Sequence, residues 1–262
     1  MAKEGWEAWR PGSRPAMPGL AKVVGHRGAR ARAPENTLAG LRKAAELGAT
    51  WVEFDVMLTA DGVPVLMHDD TLDRTTNGQG STAAITLAEL SKLDAGGYFS
   101  AAFANERVPT FKEAIDILID LHLAANVEIK PVPGHERQTA HAVAQILADS
   151  WPAIGPDLLI SSFSKTALTE ARATAPALAY GLLVEEVPAN WASLMQELGC
   201  TSLHAWHEKT APEEVASIAA EGVPVLLYTV NDPSCASAFL KAGAASIITD
   251  VPDLILPAVD HR

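Results

Sequence analysis

Four short runs in this 262-residue sequence hold side chains that can do chemistry together. They are His26-Arg27-Gly28, Glu53-Phe54-Asp55, His68-Asp69 and Glu128-Ile129-Lys130. Glu53 and Asp55 fall in an apolar run, Trp51–Leu58, that reads as a strand. Side chains two apart on a strand share a face, so both carboxylates point one way and Val52, Phe54 and Val56 the other. Two acids aimed into a protein are costly unless a cation or hydrogen bonds compensate them. Glu128 repeats the pattern and adds a third carboxylate. Such an oxygen-rich set suits a divalent metal, Mg²⁺ or Ca²⁺. Lys130 is then a fixed cation near a phosphate, and the fork of Arg27 fits a nonbridging phosphate oxygen. His26 and His68, with ordinary pKa values near 6.5, suit the two proton transfers of phosphodiester cleavage. One would deprotonate the attacking hydroxyl and the other would protonate the leaving oxygen. Each run alone has a plainer reading: a histidine ending a strand, a turn residue, a solvated strand face, a salt bridge. The chemistry rests on the set.

These residues need a scaffold that brings strand ends together. Strand-like runs are Lys22–His26, Trp51–Leu58, Pro64–His68, Ala125–Ile129, Asp157–Ser161, Leu178–Val184, Thr201–His204, Val223–Val230 and Ala245–Thr249. Helical stretches between them are Asn36–Leu47, Phe111–Leu121, Glu136–Asp149, Lys165–Ala173, Ala189–Leu198, Pro212–Ala220 and Pro233–Lys241. Several later strands are continuously apolar, as strands covered on both faces are. Repeated strand–helix units imply a parallel sheet with right-handed crossovers. The pattern predicts a TIM (β/α)8 barrel, whose C-terminal strand ends carry catalytic groups. Nine runs are one more than a barrel needs. The Ala60-Asp61-Gly62 turn predicts a hairpin of the second and third, with one member accessory. That hairpin carries His68 back toward Glu53 and Asp55. A doubly wound open sheet is the structural alternative, but no Gly-rich dinucleotide loop follows the first strand. Residues 70–107 break the alternation and read as a small insertion after the second histidine. Residues 1–21 read as an N-terminal arm, and 22–262 as a single domain.

Composition bounds the partners. Apolar residues make up 48% of the chain, enough for one large core. The formal net charge of -12 argues against a general nucleic-acid binder, whose affinity comes from neutralising phosphates. Cys200 and Cys235 are too few for a disulfide framework. No run has the length of a signal peptide or membrane span, so stable membrane insertion is not expected and a cytoplasmic protein is. Oligomeric state is open. His204 ends a late strand and could line the same mouth, its role left open. Ser162 and Ser164 lack the Gly-x-Ser-x-Gly turn of a serine hydrolase.

In order and spacing, these runs resemble the glycerophosphodiester phosphodiesterase family. The resemblance takes in His26-Arg27-Gly28, Pro34-Glu35-Asn36-Thr37, Glu53-Phe54-Asp55-Val56, Thr59, Asp61-Gly62 and Pro64-Val65. It continues through His68-Asp69, Thr71–Gly78, Pro109-Thr110-Phe111, Glu128-Ile129-Lys130 and Ser161-Ser162-Phe163. It ends with Leu203-His204, Thr229-Val230-Asn231 and Ile248-Thr249-Asp250. What it implies is a TIM-barrel enzyme that hydrolyses a small glycerophosphodiester to glycerol 3-phosphate and an alcohol. It further implies Glu53, Asp55 and Glu128 as metal ligands and His26 and His68 as the acid–base pair. Arg27, Lys130, Phe163 and Tyr228 are implied as substrate contacts. Tyr228 stands where the family often has Trp, and Ala205 where Pro is frequent. A lysophospholipase-D-like enzyme is the alternative, with Leu72, Leu87, Leu90, Leu93, Tyr98, Phe99 and Phe103 offering acyl contacts. A non-catalytic barrel would be expected to have lost one of the site residues.

Overall fold

The computed structural model describes residues 19–260. The predicted arm therefore lies mostly outside the described residues. The strands are β1 (Val23–Gly25), β2 (Trp51–Leu58), β3 (Pro64–Leu66), β4 (Ala124–Ile129), β5 (Leu158–Ser162), β6 (Ala179–Val184), β7 (Ser202–Trp206), β8 (Val225–Tyr228) and β9 (Ser246–Thr249). The helices are α1 (Leu38–Glu46), α2 (Leu87–Leu90), α3 (Phe111–Asp120), α4 (Glu136–Ser150), α5 (Lys165–Thr174), α6 (Trp191–Leu198), α7 (Pro212–Ala220), α8 (Pro233–Lys241) and α9 (Pro252–Asp260). The sheet runs β1-β9-β8-β7-β6-β5-β4-β2-β3, and β1 also pairs with β2. That last pairing closes eight parallel strands into a TIM barrel. β3 pairs antiparallel with β2 through Val56↔Leu66 and Leu58↔Pro64, outside the eight. It is the accessory strand that the Asp61-Gly62 turn implied.

Alternation along each strand divides two environments. Outward residues such as Val52, Phe54, Val56, Val127, Ile160, Leu203 and Leu227 meet the helices in the main core. Helix α3 shows why its sequence is helical. Thr110 and Glu113 form a reciprocal capping box at its start. Phe111, Ala114, Ile115 and Leu118 then recur on one buried stripe. The Phe111 ring sits 6.2 Å from that of Phe54. Burying a ring of this size stabilises by about 2–3 kcal/mol. Inward, Val24, Trp51, Ala124, Leu159, Ala179, Leu226 and Ile248 plug the N-terminal end of the barrel. Further along the same inward faces the interior turns polar, with Asn126, Ser161 and His204, then Glu53, Asp55 and Glu128, all buried.

Two differences from the sequence reading have clear causes. Helix α1 begins at Leu38 rather than Asn36, because the Thr37 side chain caps it by accepting from Gly40 N at 3.0 Å. Helix α9 was not anticipated: Pro257 inside it hides a helical pattern, yet Ile255 and Val259 bury against the barrel. Between β3 and α3 the chain forms its own small core of Leu72, Leu90, Ala95 and Val108 against Met57, Val65 and Met67. Leu72 and Leu90 are spent on this packing, so they offer no acyl groove. Among the described residues no helix is long and apolar enough to cross a membrane.

Candidate active site

The site forms at the C-terminal ends of β1, β2 and β4. Parallel pairing sets Asp55 beside Glu128. One oxygen from each of Glu53, Asp55 and Glu128 lies within 4.8 Å of the others. The turn after β1 is tight. Arg27 and Gly28 take positive φ, 48° and 84°, and a Cβ on Gly28 would lie 2.5 Å from the Gly40 backbone. This turn holds β2: Arg27 N donates to Glu53 Oε2 at 3.1 Å, and Gly28 N to the Glu53 carbonyl at 3.1 Å. Asn36 fixes Asp55 from the other side, donating Nδ2 to Oδ2 at 2.9 Å and accepting Asp55 N at 3.1 Å. Lys130 Nζ lies 3.6 Å from Asp55 Oδ1, and Arg27 Nε 3.5 Å from Oδ2.

The electrostatics are those of a site built for a cation. Burial, and then the charges of Asp55 and Glu128, push Glu53 well above the carboxylate range. Burial and Asp55 push Glu128 up to about 8. Burial would raise Asp55 too, but Arg27 and Lys130 outweigh it and hold Asp55 low. Among the described residues no protein donor reaches Glu53 Oε1 or Glu128 Oε1. Three buried carboxylates with oxygens this close together, two of them carrying an oxygen without a donor, fit a hard divalent cation.

Each histidine is anchored. His26 Nδ1 is 2.6 Å from Asp250 Oδ1, and His68 Nδ1 is 2.6 Å from Asp69 Oδ1. An ionised carboxylate only accepts, so Nδ1 carries the proton in both and Nε2 is left for chemistry. His26 Nε2 lies 3.8 Å from Glu53 Oε2. His68 follows Met67, whose N–H donates to the Asp55 carbonyl at 3.1 Å, so the hairpin does deliver it to the acids. Burial lowers both imidazoles below their ordinary pKa, against the pull of Asp250 and Asp55.

A cleft of about 280 Å³ opens beside Glu128 and Lys130, walled by Pro131, Ser162 and Phe163. Phe163 is 45% exposed, and its ring stands edge-on to Tyr228 at 6.0 Å. The two form an aromatic wall beside the cleft. A larger groove, about 680 Å³, lies against α1, α2 and α3. It gathers neither histidine nor any of the three clustered carboxylates, so chemistry rather than size locates the site.

The structure thus brings together His26, His68, Glu53, Asp55, Glu128, Arg27 and Lys130, with Phe163 and Tyr228 at the rim. His204 is not at the mouth. It is fully buried inside the barrel, with Nε2 2.9 Å from Ser202 Oγ, and burial presses it to about 3. Ser162 donates its hydroxyl to the Ile129 carbonyl at 2.6 Å, so it is no nucleophile. Sequence reasoning assigned nothing to Asp250, Asn231, Asp69, Glu35, Asn36, Arg30 or Arg74. Asn231 steadies Asp250 through Nδ2 to Oδ2 at 2.9 Å and Asp250 N to Oδ1 at 2.9 Å. The signal for all of them was their place in the matched runs or, for Arg30, just beside one.

Carboxylates, lysine and two anchored histidines at the C-terminal mouth of a parallel barrel suit one class of protein, a barrel hydrolase of an anionic ester. Comparison with known proteins narrows this. Residues 26–254 match the glycerophosphoryl diester phosphodiesterase family. A glycerophosphodiester phosphodiesterase of Caldanaerobacter subterraneus subsp. tengcongensis is 36% identical over 241 residues, covering 90% of this chain and 97% of its own. One from Bacillus subtilis is 30% identical, covering 88% and 84%. The structure of an Oleispira antarctica phosphodiesterase, in complex with the product sn-glycerol-3-phosphate, superposes with a TM-score of 0.90 at 40% identity. It covers 92% of this chain and 97% of its own. The chain belongs to the glycerophosphoryl diester phosphodiesterase family, and it is an enzyme of that kind.

Proposed function

We propose that this enzyme hydrolyses small glycerophosphodiesters to glycerol 3-phosphate and an alcohol, through two histidines and a divalent-metal site. The observation that carries the reading is the cluster of Glu53, Asp55 and Glu128 beside two histidines whose Nε2 atoms remain for chemistry. The product bound by the Oleispira relative supports the product assigned here. Glu53, Asp55 and Glu128 would hold Mg²⁺ or Ca²⁺, which when bound neutralises charge on the phosphoryl oxygens. Lys130 and Arg27 bind and orient the phosphate from either side of Asp55. One histidine Nε2 takes the proton of the attacking hydroxyl as its oxygen bonds to phosphorus; water gives glycerol 3-phosphate directly, whereas the substrate's own glycerol hydroxyl gives a cyclic phosphate first, which water then opens. The other, which must enter the cycle as the imidazolium with Nε2 also protonated, gives that proton to the departing alkoxide oxygen as the P–O bond breaks. Phe163 and Tyr228 wall the place of the organic groups. We read residues 22–262 as one barrel domain with 70–107 inserted, acting in the cytoplasm. The test is release of glycerol 3-phosphate from glycerophosphocholine by chelated protein, with and without added Mg²⁺ or Ca²⁺. Release that returns only with metal is expected. Silence with Mg²⁺, Ca²⁺, Mn²⁺ and Co²⁺ on choline, ethanolamine and glycerol diesters would overturn the proposal.

A further inference from the structure

The anchoring of the two histidines does not end at their aspartates. Asp69 is gripped by Arg74, through Nε to Oδ2 at 2.6 Å and Nη2 to Oδ1 at 3.0 Å. Asp250 is met by Arg30 Nη1 at 3.4 Å. Both arginines then converge on one carboxylate. Arg74 donates to Glu35 through Nη1 at 2.7 Å and Nη2 at 2.8 Å. Arg30 donates to Glu35 through Nε at 3.1 Å. Arg27 completes the set with Nη1 to Glu35 Oε1 at 2.6 Å. Glu35 itself is buried, with a side chain 4% exposed.

A buried carboxylate holding three guanidinium groups is far from an ordinary surface pair. Alone in that environment it would be driven toward its neutral form. The arginines overcome burial and hold it far below the usual carboxylate range. Charge-assisted bonds from planar forks also fix direction, because each guanidinium must satisfy two acceptors in one plane. Arg74 is supplied by the segment between β3 and α3, and Tyr98 of the same segment accepts the Glu35 N–H at 3.2 Å. Glu35 therefore joins two pieces of chain directly, the turn after β1 and the segment between β3 and α3, and reaches a third, Asp250 after β9, through Arg30.

We propose that Glu35 is a positioning residue that couples the two histidine–aspartate pairs, through Arg30 to Asp250 and His26, and through Arg74 to Asp69 and His68. It touches neither the carboxylate cluster nor the cleft, and reaches Asp55 only through Arg27. One carboxylate then sets the orientation of both imidazoles. The proposal rests on the acid–base reading of the histidines given above.

The test uses the full chain, loaded with Mg²⁺ and again after chelation. Hydrogen-bonded imidazole Nδ1–H protons give downfield proton NMR signals, assigned here with His26→Asn and His68→Asn. Glu35→Gln is expected to move both signals, Arg74→Met only that of His68, and Arg30→Met only that of His26. For Glu35→Gln, kcat on glycerophosphocholine should fall by about tenfold or more, as when a partner behind an active group is lost. KM and the affinity for Mn²⁺, read by electron paramagnetic resonance, should stay within about threefold. Arg74→Lys, which keeps charge but not the fork, should recover only part of the kcat lost in Arg74→Met. A Glu35→Gln protein in which either proton signal stays in place overturns the coupling. So does a loss of Mn²⁺ affinity that matches the loss of kcat, which would assign Glu35 to the metal centre. Should Glu35→Gln not fold, Arg74→Met at its half-exposed position decides, and an unmoved His68 signal overturns the proposal. Wild-type protein silent on every glycerophosphodiester would sink the functional reading instead, while the NMR comparison would still decide the coupling.

Discussion

Replacing Glu128 by glutamine should stabilise the metal-free protein while destroying its response to metal. Burial and Asp55 raise the Glu128 carboxyl from its ordinary 4.5 to about 8 in the folded chain. The folded state thus binds this proton more tightly than the unfolded state does. Stability from the group is complete below about pH 4.5, declines as pH rises, and levels off above about pH 8. At about 1.4 kcal/mol per pH unit, the cost is on the order of 3 kcal/mol by pH 7. Glu53, raised beside it by burial and by the charges of Asp55 and Glu128, shares that cost. Since 1 kcal/mol moves Tm by about 2–4 °C in a chain of this size, Glu128→Gln should raise Tm by several degrees at pH 7–8. The assay is thermal unfolding of chelated wild type and variant from pH 5 to pH 8. Wild type should lose Tm across that window relative to the variant. Saturating Mg²⁺ or Ca²⁺ should restore it in wild type and do little in Glu128→Gln. Parallel Tm curves for the two chelated proteins would refute the claim that these acids are held in the fold at electrostatic cost.

Three further outcomes follow from the geometry. His26→Ala and His68→Ala should each abolish glycerol 3-phosphate release with unchanged circular dichroism, and near-normal turnover in both would sink the acid–base assignment. Asp250→Asn keeps the shape behind His26 but lets its ring adopt the wrong tautomer, so kcat should fall by about 10²–10⁴ with Tm shifted by only a few degrees. An unchanged kcat would show that the 2.6 Å contact does not matter to the reaction. Phe111→Ala empties a fully buried site against Phe54 and should cost about 3–5 kcal/mol in urea titration. A loss under about 1 kcal/mol would mean that α3 packs differently.

Much of the barrel is written in local pattern. β2 was legible to the residue, because an eight-residue apolar run with acids two apart has one natural reading. α7 and α8 were equally plain, each opening with a proline that suits a first helical turn. α9 was not, because Pro257 interrupts its helical pattern. The acidic cluster was foreseeable since period-two alternation places Glu53 and Asp55 on one face, and Glu128 lies in a run of the same kind. The aspartate partners were not all equally visible. Asp69 adjoins His68, whereas Asp250 lies 224 residues from His26. Whether His204 lines the mouth was open in the sequence because strand ends look alike there, while its depth depends on register.

By itself, the sequence determined which side chains share a strand face, where the chain turns, and which residue types are on hand for proton transfer and metal binding. These are short-range properties, set by backbone geometry and side-chain chemistry. Only the tertiary structure decided that β1 meets both β2 and β9, that Asp55 faces Glu128, and that Arg30 and Arg74 end on the same glutamate. Those contacts depend on how strands pair and where the barrel closes. That is a matter of packing the whole core at once, and no local run of residues specifies it.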